Sequence, residues 1–148
     1  VAGCFGKQGL QESAVNSRFK IVLANGCFDL FHYGHLLHLE AAKKMGSILV
    51  VSITHDHYVN KGPGRPIYKH KERAALVRAL KCVDEVLVVR NLISAMKMVR
   101  PDILVKGIDY GGGLDQEHQD YCKQRGIEIR YTDTPKYSAT ELIRGLRG

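Results

Sequence analysis

Ile21-Val-Leu-Ala-Asn-Gly-Cys-Phe-Asp-Leu-Phe-His-Tyr-Gly-His35 is the stretch from which the fold can be read. It opens with a short apolar run, and the residues after it, 36–45, read as a helix. The part between is therefore a strand-to-helix turn. Gly26 and Gly34 permit sharp backbone and close approach of a ligand. His32 and His35 lie three apart where the helix begins, so both can face one spot beside its free amide groups. Those unpaired N–H groups and the helix dipole attract anions. Two imidazoles add donors that are cationic or neutral near pH 7. A histidine near a helix is ordinarily a core or surface residue, but two of them flanking a glycine after Gly-x-Phe-Asp and a strand point to more than packing. The turn reads as a phosphate-handling corner.

Outward from that turn, residues 20–25 form the first strand and about 34–45 the first helix, ended by Gly46 as a C-terminal glycine should. Residues 48–53 are nearly all β-branched or leucine, the pattern of a strand covered on both faces of a parallel sheet. Strand, helix and strand at this spacing make a βαβ unit. Residues 54–69 have no clear period and hold Gly62, Pro63, Gly64 and Pro66, a long loop of the kind that carries function. Helix signals return over 70–80, followed by a strand at 83–89. Asn91 then introduces a short helix that Pro101 stops. A strand at 102–105, a helix at 115–124 ended by Gly126, a strand at 127–131 and a helix from Ser138 to Leu146 complete the chain.

Five strands alternating with helices predict an α/β fold, a doubly wound parallel five-stranded sheet in a single domain over residues 20–148. Ligands in such sheets bind beyond the carboxyl ends of the strands, near a switch in strand order. The first turn and the loops 54–69, 106–114 and 132–138 all follow strands, so they gather on that edge. Residues 1–19, with Gly3, Gly6 and Gly9 in a mixed polar stretch, read as an N-terminal extension or linker remnant. The first residue is Val rather than Met, which suits a processed chain or part of a longer one.

A chain of 148 residues suffices for one buried core. Lysine and arginine total 22 against 15 acids, a net +7 that suits either nucleic acid or a ligand carrying several phosphates. The basic residues are dispersed, and aromatics at 7% offer no platform for stacking bases, so no nucleic-acid partner is expected. No apolar run approaches the ~20 residues of a membrane span, and no apolar signal segment opens the chain. A cytoplasmic protein without membrane contact is the expectation. Cys4, Cys27, Cys82 and Cys122 form no Cys-x-x-Cys pair, and disulfides are not expected. Cys27 with His32, His35 and His38 matches no common structural zinc spacing, so no protein-held metal is assigned. Cys82 reads as a small core residue.

Asn25 to His35 resembles the signature of the cytidylyltransferase-like nucleotidyltransferases, whose hallmark is His-x-Gly-His. Lys61-Gly-Pro-Gly-Arg-Pro66 and Leu104-Val-Lys-Gly-Ile-Asp-Tyr110 resemble the heptose-1-phosphate adenylyltransferase branch, with glycerol-3-phosphate cytidylyltransferases next. The resemblance runs from about Lys20 to Ile143. It implies a Rossmann-like homodimer that moves a nucleotidyl group from an NTP, ATP or CTP, to a small phosphorylated acceptor and releases pyrophosphate. Such a reaction needs two anions held together and charge stabilised on the transferred and leaving groups. Mg²⁺ is expected to share the triphosphate.

The resemblance also implies roles. His32 and His35 face the α- and β-phosphates. Lys61 reaches the phosphates from the far side and shares the acceptor with Asp29, which could also orient a histidine or merely cap the turn. Arg73 contacts the triphosphate or its product, with Arg65 as a helper. Gly26, Cys27 and Phe28 border the nucleotide through their backbone, the Phe28 ring being buried. Lys106 binds the nucleotide, and Asp109 lies near the base or ribose. Ser138, Ala139 and Thr140 stand where the family has Ser-Thr-Thr, so one hydroxyl is missing. Asp133 replaces an arginine of the glycerol-phosphate branch, and Lys136 offers positive charge instead. The best match is ATP with D-glycero-D-manno-heptose 1-phosphate, giving ADP-heptose. CTP with glycerol 3-phosphate or another polyol phosphate or phosphonate is the alternative, and a non-catalytic nucleotide-binding regulatory module is the rival from another class.

Overall fold

β1 (Ile21–Gly26) is apolar at successive residues because both of its faces are covered. Val22 and Ala24 enter one core and Leu23 the other, all with no exposed surface. α1 (Tyr33–Lys43) and α2 (His70–Arg78) close the first core with Leu39, Ala42, Ala74 and Val77. α3 (Leu92–Val99) and α4 (Gln116–Arg125) close the second with Leu92, Ala95, Met96 and Cys122. Replacing a fully buried leucine such as Leu23 or Leu104 by alanine costs roughly 2–5 kcal/mol in a core of this kind. The computed structural model describes residues 19–107, 114–135 and 139–147.

β2 (Ile48–Thr54), β3 (Glu85–Val89), β4 (Ile103–Gly107) and β5 (Glu128–Thr132) join β1 in one parallel sheet of order β3-β2-β1-β4-β5. β1 pairs Val22 with Leu49 on one side and with Ile103 on the other. The direction of winding reverses between β1 and β4, so a crevice opens beyond their carboxyl ends, at Gly26 and Gly107. The expected doubly wound α/β fold is the one observed.

Element ends follow local chemistry. β3 starts at Glu85 rather than at residue 83, because Asp84 lies in the turn, accepting from the Leu49 N–H at 2.7 Å and pairing with Lys43. Asn91 caps α3 by accepting from the Ser94 N–H at 2.8 Å, and Gly126 ends α4 with φ +68°. Gly46 does something other than the cap expected of it. α1 ends at Lys43 with Lys44 still in right-handed geometry. A Cβ on Gly46 would lie 2.7 Å from both the Lys20 carbonyl oxygen and Val22 Cγ2, so glycine is required there for close backbone approach. The 54–69 loop contains one short 3₁₀ turn, Asp56–Tyr58. α5 (Ala139–Arg147) follows the last strand, and Ser138, expected at its start, lies outside the described residues. Among the described residues no helix is long and apolar enough to cross a membrane.

Candidate active site

The turn after β1 is bent in a way its glycines do not explain. Phe28 and Leu30 take left-handed conformations, φ +52° and +53°, each costing about 1–3 kcal/mol for a residue with a side chain. Packing and hydrogen bonds hold the strain. The Phe28 ring folds beneath Gly26, where a Cβ would sit 2.8 Å from ring carbon Cε2. That same ring meets His35 edge-on at 5.3 Å, Phe31 lies 5.3 Å away on another side, and His32 stacks on His35 at 3.8 Å. His35 is thereby fixed by three rings. Gly34, expected to shape the turn, lies instead in the first turn of α1.

Asp29 and Arg73 work from below. Asp29 is 2% exposed and binds the long loop to the turn: Oδ2 accepts from Arg65 Nε and the Ile67 N–H at 2.8 Å, and Oδ1 from the Tyr68 N–H at 3.0 Å. Burial would raise its pKa, but the Tyr68 and Ile67 amides and Arg65 outweigh that and hold it low. Arg73 is wholly buried. Its guanidinium donates to the Cys27 carbonyl at 2.7 Å, the Tyr68 carbonyl at 2.9 Å and Asp56 Oδ1 at 2.7 Å. Asp56 also meets His70 Nδ1 at 2.8 Å. Burial opposes its charge, yet Arg73 and His70 bring its pKa down to about 2.

Above them lies a cleft of about 160 Å³ at the β1/β4 crevice. Asn25, Gly26, Cys27 and Phe28 form one wall, His35 and His38 of α1 another, and Lys61, Gly107 and Thr134 the rim. At that size it encloses part of a nucleotide-sized ligand, whose pockets span roughly 300–1,000 Å³. A larger recess of about 580 Å³ lies at the opposite, amino edge of the sheet, among Arg100, Asp102 and Arg125. It contains none of the histidines, and ligands of such sheets bind at the carboxyl edge, so volume does not decide between them.

The imidazoles are neutral. His35 is driven down to about 3 by burial, then by His32, Lys61 and His38. His32 is lowered by burial and Lys61, and His38 falls to about 4 through burial and Lys106. The His32 N–H donates to His35 Nδ1 at 3.2 Å, so the proton of neutral His35 sits on Nε2 as a donor. Of the two states open to these histidines, cation or neutral, burial and the neighbouring charges favour the second.

Geometry thus divides the expected residues. Gly26, Cys27, Phe28, His35 and Lys61 meet on the cleft, and His32 backs His35. Arg73 and Asp29, expected at triphosphate and acceptor, lie beneath and hold the loop backbone, with Arg65 paired to Asp29. They were expected as ligand contacts because a charged residue in a motif gives no sign of its depth. Lys106 is buried at 8% exposure with its pKa lowered by burial. Asp109 and Ser138 lie outside the described residues, and Ala139 and Thr140 open α5. His38 was not expected in the site, although its spacing three residues after His35 put it on the same helix face.

A family model described as cytidylyltransferase-like matches residues 23–145. The bifunctional protein HldE of Desulfatibacillum aliphaticivorans is 38% identical over 132 residues, covering 86% of this chain and 27% of that protein. HldE of Helicobacter pylori strain G27 is 46% identical over 105 residues, covering 68% and 23%. The chain therefore spans about a quarter of the length of the curated relatives it matches. A lipopolysaccharide core biosynthesis protein from Thermoplasma volcanium GSS1 superimposes with TM-score 0.67 at 31% identity, covering 80% of this chain and 98% of that one.

Proposed function

The chain belongs to the cytidylyltransferase-like family and is a nucleotidyltransferase, and on that premise we propose that it adenylylates a sugar 1-phosphate, D-glycero-D-manno-heptose 1-phosphate, with ATP. ADP-heptose and pyrophosphate are the products. The observation that carries the reaction type is the pairing of a neutral His35, its Nε2 proton free to donate, with Lys61 on one cleft at the switch in strand order. The sugar phosphate rests on the likeness of Lys61 to Pro66 and Leu104 to Tyr110 to heptose-1-phosphate adenylyltransferases. A structural relative named for lipopolysaccharide core biosynthesis agrees with it.

In this reading the acceptor phosphate oxygen attacks the α-phosphorus, a new P–O bond forms, and the bond to the β-phosphate oxygen breaks. The acceptor is already an anion, so no strong base is required. What the protein supplies is position and charge. His35 donates from Nε2 to a phosphoryl oxygen, Lys61 balances the charge of the leaving pyrophosphate, and the α1 dipole presents its positive end to the phosphates. Arg73 and Asp29 keep the loop backbone in register for these contacts. Among the described residues no cluster of three His, Cys, Asp or Glu could ligate a metal. Mg²⁺, when bound, would be held by the triphosphate oxygens and would neutralise phosphate charge. We place the enzyme in the cytoplasm as a homodimer.

Pyrophosphate release tests this directly, crossing ATP and CTP with sugar 1-phosphates, polyol phosphates and phosphonates in Mg²⁺ buffer. Turnover with ATP and the heptose 1-phosphate is expected, and His35→Ala should lower kcat by about 10²–10³ as an oxyanion donor does. Turnover only with CTP and a polyol phosphate would move the protein to the other branch. Nucleotide binding without any turnover would identify a non-catalytic module.

A further inference from the structure

Two lysines act on the imidazoles of the cleft at different places, Lys61 on His32 and His35 and Lys106 on His38. Lys61 and the amino end of α1 lie towards His32 and His35, the end that suits phosphates. His38 is three residues further along α1, about 4.5 Å deeper by helix rise. It borders the cleft together with Gly107, the last residue of β4, and Thr134, which follows β5. His38 Nδ1 lies 2.6 Å from Thr132 Oγ1, and Thr132 is only 3% exposed. The ring is thus anchored from behind, and among the described residues its other nitrogen has no hydrogen-bond partner. Burial, aided by Lys106, brings its pKa down to about 4, so it offers a directional hydrogen bond without charge. One helical turn beyond the phosphate-facing pair and held against the end of β5, the ring is placed to meet the part of a nucleotide that extends away from its phosphates, the nucleoside.

We propose that His38 positions the nucleoside of the bound nucleotide, its Nε2 hydrogen-bonding a ribose hydroxyl or base atom while Thr132 fixes the ring through Nδ1. This rests on the nucleotidyltransferase reading above and adds to it a residue that selects for the nucleoside rather than the phosphates. Two substitutions separate the ring's two jobs. His38→Asn places an amide near Nδ1, keeping the Thr132 contact and emptying the cleft position. His38→Gln reaches towards Nε2 and restores the cleft contact.

The test is calorimetric binding of ATP, CTP and inorganic tripolyphosphate to the wild-type chain and both variants, with urea unfolding run alongside as a check on folding. His38→Asn should weaken the bound nucleotide about tenfold, one hydrogen bond's share of the affinity, and leave tripolyphosphate within about twofold. His38→Gln should recover most of the loss. Equal weakening of nucleotide and tripolyphosphate would overturn the proposal, as would unchanged nucleotide affinity in His38→Asn or a glutamine variant no better than asparagine. Either of the last two results, with ATP or CTP still bound by the wild type, would sink the role of His38 alone. Failure of the wild type to bind either nucleotide would sink this proposal together with the function beneath it.

Discussion

Asp56→Asn is the substitution whose effect the structure sets most closely. Asp56 is partly buried, its side chain 17% exposed, and pairs with the wholly buried guanidinium of Arg73 at 2.7 Å. Its pKa is about 2, against 3.8 for the free group. Holding the carboxyl that far down corresponds to roughly 2 kcal/mol of stability carried by the charged form. The sign follows from a lowered folded pKa: the contribution is complete above 3.8 and is lost as pH falls through 2. Asparagine keeps an acceptor for Arg73 but not the charge. Urea unfolding of wild type and Asp56→Asn at pH 7, 5, 4 and 3 should therefore show a gap of about 2 kcal/mol at pH 7 and 5, falling to about half by pH 3. Titration of the other carboxylates is common to both proteins and cancels in the difference. A gap below about 0.5 kcal/mol at pH 7, within the range of ordinary surface substitutions, would refute the buried pair, and a gap independent of pH would refute its ionic origin.

The remaining predictions concern the cleft itself. Proton NMR titration of the imidazole ring should find His35 neutral down to pH 5, since burial and its neighbours hold its pKa at about 3, and a midpoint near 6.5 would contradict that. Asp29→Ala strands the Ile67 and Tyr68 amides and the Arg65 guanidinium, at about 1–3 kcal/mol for each buried donor left unsatisfied. It should lower the urea midpoint and expose the 61–66 segment to limited proteolysis, and a cleavage rate equal to wild type would mean that Asp29 does not hold the loop.

Much of the architecture was legible before any coordinates. The continuous apolar residues 48–53 require two covered faces, and the observed β2 runs between two cores. The glycine ending α4 and the asparagine opening α3 act at the positions their chemistry predicted. Gly46 shows where such reasoning stops. A glycine after a helix signals a cap, but the atoms that demand glycine here belong to Lys20 and Val22, distant in sequence.

The candidate site divides the same way. Gly26, Cys27, Phe28, His35 and Lys61 were expected together and meet on the cleft, because one strand-to-helix turn and the loop after the neighbouring strand share a sheet edge. Sequence alone determined the alternation of strands and helices and the sheet edge on which the motif residues gather, since these depend on local pattern and on the handedness of βαβ units. Only the tertiary structure decided which charges face the cleft and which lie beneath it. Arg73 and Asp29 are sited by backbone groups 5 to 46 residues away, at Tyr68, Cys27 and Ile67. Burial and mutual proximity, which no local pattern encodes, also leave His35 and His38 neutral.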